Sequence, residues 1–235
     1  MKSLRIKIFS DGANLTDMIK MVQNPLVKGF TTNPTLMRKS GVKDYQSFAQ
    51  AVLKDILLPV SFEVFADDNT TMLTQARKIA KWGHNVNVKI PITNTSGVST
   101  EKVIKELSNE GITVNVTAVF TLGQVRAILS ALNPDAPAII SIFAGRIADT
   151  GVDPLAHMRA AKRMMIGSKV ELLWASTREL FNVFQADEVG CDIITVPPEF
   201  LFKLESLMGK DLIQYSLETV RMFHRDAQEA GYALP

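Results

Sequence analysis

A single cysteine, Cys191, among 235 residues leaves no disulfide framework possible within the chain. The three histidines, His84, His157 and His224, stand far apart without ligand spacing, so no metal site is expected. Acidic and basic residues nearly cancel, to a formal charge of +2. That balance supplies no field to hold a nucleic acid or a membrane surface. No apolar stretch approaches the roughly 18 residues that a spanning helix needs. The opening residues carry charges throughout and show neither the apolar segment nor the cleavage site of a secretory leader. With no disulfide to require an oxidising compartment, a cytoplasmic location is expected. Lys2, Arg5 and Lys7 read as solvated charge, and Cys191 as a small buried residue. No proline-rich linker divides the chain, so residues 1–235 are expected to form one domain.

What is present is a regular alternation of two hydrophobic periods. Residues 4–11, 29–33, 60–66, 85–93, 112–120, 138–145, 170–176 and 192–196 read as strands. Helical spacing fills 14–23, 43–56, 69–82, 99–110, 122–132, 154–166 and 177–188, and Pro198 opens another helix. A further helix, over about 210–231, is left over. Eight strand–helix units of roughly 25 residues have the count and length of a (β/α)8 TIM barrel, here an α/β fold with an extra C-terminal helix. The rival is a doubly wound open sheet. It would show a glycine-rich phosphate turn after the first strand, whereas Asp11-Gly-Ala-Asn14 has one glycine.

The fourth strand, Asn85-Val-Asn-Val-Lys89-Ile-Pro-Ile-Thr93, sets apolar residues on one face and Asn85, Asn87 and Lys89 on the other. An ammonium inside a barrel is costly unless paired, and burial favours the free amine in general. Such an amine can attack a carbonyl and form a Schiff base. Polar residues recur late in other strands: Asp11; Thr31, Thr32 and Asn33; Glu63; Asn115 and Thr117; Ser141; and Ser176. Stability alone would place branched aliphatics there. Barrel enzymes carry their sites at these C-terminal strand ends. A lysine with an aspartate and a glutamate suits imine chemistry, the carboxylates moving protons as a carbon–carbon bond breaks. Alone, Asp11 reads equally as a helix cap, and Glu63 as the partner of a buried ion pair with Lys89. Arg146 and Arg178 follow the sixth and seventh strands, where two planar forks suit a shared anion.

These segments together resemble the transaldolase family, in its short branch, which includes fructose-6-phosphate aldolases. The resemblance is carried by Phe9-Ser-Asp11, Gly29-Phe-Thr-Thr-Asn33-Pro-Thr-Leu36, Val88-Lys89-Ile-Pro-Ile-Thr93, Asn115-Val-Thr117, Ser141-Ile-Phe143-Ala-Gly-Arg146 and Ala175-Ser-Thr-Arg178. It runs in order along the whole chain.

The resemblance implies Lys89 as the Schiff-base lysine and Asp11 as the group that takes the C4 hydroxyl proton. It implies Glu63 and Thr117 as the pair holding a catalytic water. Asn33, Asn115 and Ser141, with Thr32 beside them, would bind the dihydroxyacetone hydroxyls. Arg146, Ser176 and Arg178 would hold phosphate. The implied partners are a ketose phosphate donor and an aldose phosphate acceptor, with no metal or organic cofactor, since the imine is the electron sink. The family's free aldolases resemble this pattern but carry glutamine and tyrosine where this chain has Glu63 and Phe143. Transfer is therefore expected to exceed release. The alternatives are an aldolase releasing dihydroxyacetone, a transaldolase for another anionic ketose, and a non-catalytic sugar-phosphate-binding barrel. The polar segment Thr93-Asn-Thr-Ser-Gly97, with Trp82 and Trp174, is expected to reshape the pocket. The last helix is expected to pack on a neighbouring subunit in a homo-oligomer.

Overall fold

The computed structural model describes residues 4–234. Lys2 lies outside the described residues. Eight parallel strands close into a barrel in sequence order: β1 (Lys7–Asp11), β2 (Val27–Thr31), β3 (Val60–Glu63), β4 (Val86–Pro91), β5 (Val114–Val119), β6 (Ala138–Ile142), β7 (Val170–Trp174) and β8 (Ile193–Val196). The helices are α1 (Leu15–Val22), α2 (Pro34–Lys39), α3 (Tyr45–Asp55), α4 (Asn69–Ala80), α5 (Glu101–Asn109), α6 (Leu122–Ala131), α7 (Ala144–Asp149), α8 (Pro154–Met164), α9 (Asn182–Glu188), α10 (Pro198–Leu207) and α11 (Leu212–Glu229). The (β/α)8 barrel expected from the alternation is thus the observed architecture.

Period two sorts the strand residues between two cores. Phe30, Phe62, Val88, Val116, Ile140, Leu172 and Ile194 face the helices and form the larger core with them. Phe9, Ile139, Leu173, Ala175 and Ile193 form a second apolar cluster, and this one fills the barrel interior. Burying each large side chain of that plug is worth about 1.5–3 kcal/mol. Gly29 is where the plug meets β2, since a Cβ there would lie 2.5 Å from the Phe9 ring. Strand tilt gives the interior its vertical order. The in-register row Glu63, Lys89, Asn115, Ile139, Glu171 starts at the mouth and descends around the barrel. It ends where Glu171 pairs with Lys7 at the opposite end. Lys7 is exposed, as expected of a solvated charge, and forms a surface ion pair there.

Two helices were not expected. β2 runs from 27 to 31 rather than from 29 to 33, and Pro34 begins α2: it occupies the first turn, where a missing N–H costs nothing, and Asn33 Oδ1 accepts from Leu36 N at 3.0 Å. The sixth strand stops at Ile142 rather than running to 145, and Arg146 lies in α7. The helix expected from 177 begins at 182. The first strand begins at Lys7 rather than at 4. Four other helix starts follow their caps, with Asp44, Asp68, Thr121 and Asp211 each accepting from a backbone N–H of the first turn.

Candidate active site

At the C-terminal ends of the strands lies a cavity of about 480 Å³. Asp11, Asn33, Glu63, Lys89, Ser141, Phe143, Arg146, Ser176 and Arg178 all line it. Lys89 is 6% exposed. Its Nζ donates to the backbone O of Thr32 at 2.8 Å and lies 3.1 Å from Glu63 Oε2. Register explains the second contact, because Glu63 and Lys89 are paired residues of adjacent strands. The ion pair left open by the sequence is therefore present, inside the cavity.

Asp11 ends β1, opposite Thr31. Thr31 Oγ1 donates to Asp11 Oδ1 at 2.8 Å and lies 2.5 Å from Thr195 Oγ1. Burial pushes the Asp11 carboxyl above its ordinary value, and nearby Glu63 adds to this. The positive charge of Lys89 and the Thr31 hydrogen bond act against it without cancelling it. Asp11 is thus a better proton acceptor than a surface aspartate would be.

Three expected site residues stand outside the lining. Thr32 is fully buried, and its hydroxyl donates to Ser61 O at 2.8 Å. What it offers Lys89 is its carbonyl, and the threonine that reaches the cavity is Thr31. Asn115 is also fully buried: Ser141 Oγ donates to its Oδ1 at 2.6 Å, and its Nδ2 donates to Ser61 Oγ at 3.1 Å. Asn115 thereby orients Ser141, which does line the cavity. Thr117 is buried beside Pro91 in the ladder. The segment 93–97 does not reach the cavity either. Thr95 N donates to Asp67 Oδ1 at 2.8 Å and Asn94 Nδ2 to Asp67 O at 3.0 Å, which folds the segment onto the preceding βα loop. Trp174 is fully buried in the outer core, and Trp82 packs edge-on against Tyr45 and Phe62. None of these reshapes the pocket.

The two arginines share one side of the mouth. The Arg146 guanidinium sits 5.4 Å from the Phe143 ring centroid. Arg178 Nε donates to both carboxylate oxygens of Asp149, at 2.9 and 3.1 Å. That pairing holds the Asp149 carboxyl below its usual range. Gly145 joins the two halves: a Cβ there would lie 1.6 Å from Ser176 O. Ser176 has φ +63° and Ala118 φ +58°; these are the non-glycine residues in the left-handed region among the described residues, and both line the cavity. Such strain is stored at functional sites when the surroundings enforce it. Thr195, Ala118 and Asp149 escape a reading of the sequence, and Thr31, one of its polar strand ends, gives way there to Thr32 as the site residue. Phe30, whose bulk belongs outside, was the signal that would have turned Thr31 inward.

The family model described as Transaldolase/Fructose-6-phosphate aldolase matches residues 8–234. The chain belongs to this family. A protein of Dehalococcoides mccartyi named "Probable transaldolase" is 38% identical over 204 residues, covering 85% of this chain and 90% of its own. One from Lactiplantibacillus plantarum with the same name is 36% identical over 215 residues, covering 90% and 95%. Among solved structures, a "putative phosphonomutase" from Burkholderia cenocepacia J2315 superposes with a TM-score of 0.59 at 12% identity, covering 90% of this chain and 93% of its own. At that identity the likeness concerns the barrel alone.

Proposed function

We propose that this member of the family is a Schiff-base transaldolase. It moves a dihydroxyacetone unit from a ketose phosphate, such as fructose 6-phosphate or sedoheptulose 7-phosphate, to an aldose phosphate. The observation that carries the reading is Lys89, buried at the floor of the cavity, with Glu63 at 3.1 Å and Asp11 and two arginines in the same lining. Lys89, once deprotonated, attacks the C2 carbonyl, and the carbinolamine loses water to give a protonated imine. Asp11 takes the C4 hydroxyl proton, and the C3–C4 bond breaks with its electrons passing into the imine. The aldose phosphate leaves and the enamine stays on Lys89. Addition to an acceptor aldehyde and hydrolysis of the new imine complete the transfer.

Glu63, with Thr117 behind it, manages protons at the imine through a water. Asn33 and Ser141 meet the three-carbon unit, Asn115 holds Ser141, and Thr32 anchors Lys89. Arg146, Ser176 and Arg178 take the phosphate. Phe143 has no hydroxyl with which to protonate the enamine, so the enamine waits for an aldehyde. The imine itself is the electron sink, so the scheme calls for no metal or organic cofactor. The whole chain acts as one barrel domain in the reducing cytoplasm. It forms a homo-oligomer through α11, where Leu212, Ile213, Val220 and Phe223 are exposed. No helix among the described residues is long and apolar enough to cross a membrane.

The test is reduction of the protein with borohydride in the presence of fructose 6-phosphate, followed by peptide mass analysis. A reduced three-carbon adduct on Lys89, absent from Lys89→Met, is expected. No adduct with any ketose phosphate would refute the imine. Release of dihydroxyacetone outrunning transfer to a good acceptor would make the enzyme an aldolase. A monomer by light scattering would remove the oligomer.

A further inference from the structure

Strand β3 is short. Its partner β2 pairs with it only through Val60 and Ser61 before the chain turns into α2. The last β2-side bond is Thr32 N to Ser61 O, at 3.2 Å. Backbone N–H groups alternate sides along a strand. Val60 N and Val64 N donate to Asn85 O and Lys89 O, on the β4 side. The N–H and C=O of Glu63 therefore point toward β2, where the ladder has ended. Left bare at a half-buried position, each would be a desolvated polar group without a partner, which is destabilising.

One phenol fills the gap. Glu63 N donates to Tyr45 Oη at 2.7 Å, and Tyr45 Oη donates to Glu63 O at 3.0 Å. A hydroxyl can donate and accept at once, so this single group replaces the missing strand neighbour at both points. Its ring is fixed in turn. Tyr45 is the first residue of α3, behind the Asp44 cap. Phe65, Trp82 and Phe62 surround it, with ring centroids at 4.5, 5.2 and 6.0 Å. Burial pushes the phenol well above its ordinary pKa, so it stays a neutral donor.

We infer that Tyr45 is a positioning residue for Glu63. By replacing the absent strand it fixes the end of β3, and so the height at which the Glu63 carboxylate meets Lys89. This rests on the transaldolase reading. Tyr45 is absent from the lining of the active-site cavity. Its effect is therefore confined to steps that use Glu63 and does not extend to phosphate binding on the far side of the mouth.

The test is Tyr45→Phe, which keeps the ring and removes the hydroxyl. A displacement near 1 Å at a reacting group can cost up to about a hundredfold. The expected result is a fall in transfer kcat of roughly tenfold or more, with KM for fructose 6-phosphate unchanged. Loss of folded protein would also lower kcat at constant KM, so the comparison in a Glu63→Gln background decides between the two. In a Glu63→Gln background the same substitution should change kcat by less than about twofold, since the two act on one step. Additive losses would overturn the inference, as would wild-type kcat in Tyr45→Phe. Should Tyr45→Phe not fold, Phe65→Leu loosens the ring and spares the hydroxyl. It should lower kcat at constant KM, and wild-type kcat there would count against the inference in the same way. Wild-type protein that traps no ketose phosphate would sink the transaldolase reading, and this inference with it. Trapping with an impaired Glu63→Gln and an unimpaired Tyr45→Phe would overturn the role of Tyr45 alone.

Discussion

Gly145→Ala adds one methyl group at the most crowded of the glycines. The new Cβ would lie 1.6 Å from Ser176 O and 2.7 Å from Ser176 C. Ordinary carbon contacts begin at about 3.5 Å, so one side must move by roughly 2 Å. The obstacle is backbone, not the free end of a side chain. That backbone is already strained at φ +63°. Overpacking costs about 1–3 kcal/mol, and a rigid obstacle puts this substitution at the upper end. For a chain of this size, that corresponds to a fall in Tm of about 6–12 °C. The moving parts are the two halves of the arginine cleft, with Arg146 on one side and Ser176 and Arg178 on the other. KM for a phosphorylated ketose should therefore rise more than KM for free dihydroxyacetone as donor. Differential scanning calorimetry and steady-state kinetics read the two effects. Gly123→Ala is the control. Its Cβ would meet only Thr121 Oγ1, at 3.7 Å, and alanine in a helix is worth up to about 1 kcal/mol over glycine. Gly145→Ala with the Tm and KM of the parent protein would refute the steric reasoning.

Lys89→Met should destabilise the fold as well as end catalysis, because Glu63 is left without its cation; breaking such a pair costs about 3–5 kcal/mol. Adding Glu63→Gln should restore most of that loss, and urea unfolding of the four proteins of the cycle checks it. The Asp11 pKa is raised on folding, so its contribution to stability is fully present below the unfolded value and is lost as pH rises through the folded one. Asp11→Asn should therefore gain Tm relative to the parent as pH rises across that window; a difference constant with pH would contradict the burial argument. Ala118→Gly relieves a left-handed φ, worth about 1–2 kcal/mol, and should raise Tm by a few degrees in a thermal melt.

The alternation of apolar periods determined the fold without help from tertiary contacts. Eight strands with helices between them leave few closures, and right-handed crossovers leave one hand. Period two also turned Glu63, Lys89 and Asp11 toward the same interior, because a strand has only two faces. The family segments then lay at the strand ends that a barrel assembles into one mouth.

Other features lay beyond a one-strand reading. Thr32 and Thr31 are neighbours of the same residue type, and only the placement of Phe30 in the outer core shows which hydroxyl reaches the cavity. Asn115 resembles a sugar ligand in the sequence, yet Ser61 of β3 and Ser141 of β6 occupy its amide. Tyr45 and Glu63 are 18 positions apart, on a helix and a strand. Their contact exists only because β2 ends early and leaves one backbone N–H and one C=O to be satisfied. Local sequence determines which face a side chain takes. Which neighbours compete for its hydrogen bonds depends on the register, tilt and length of other strands, and those are settled only when the barrel closes.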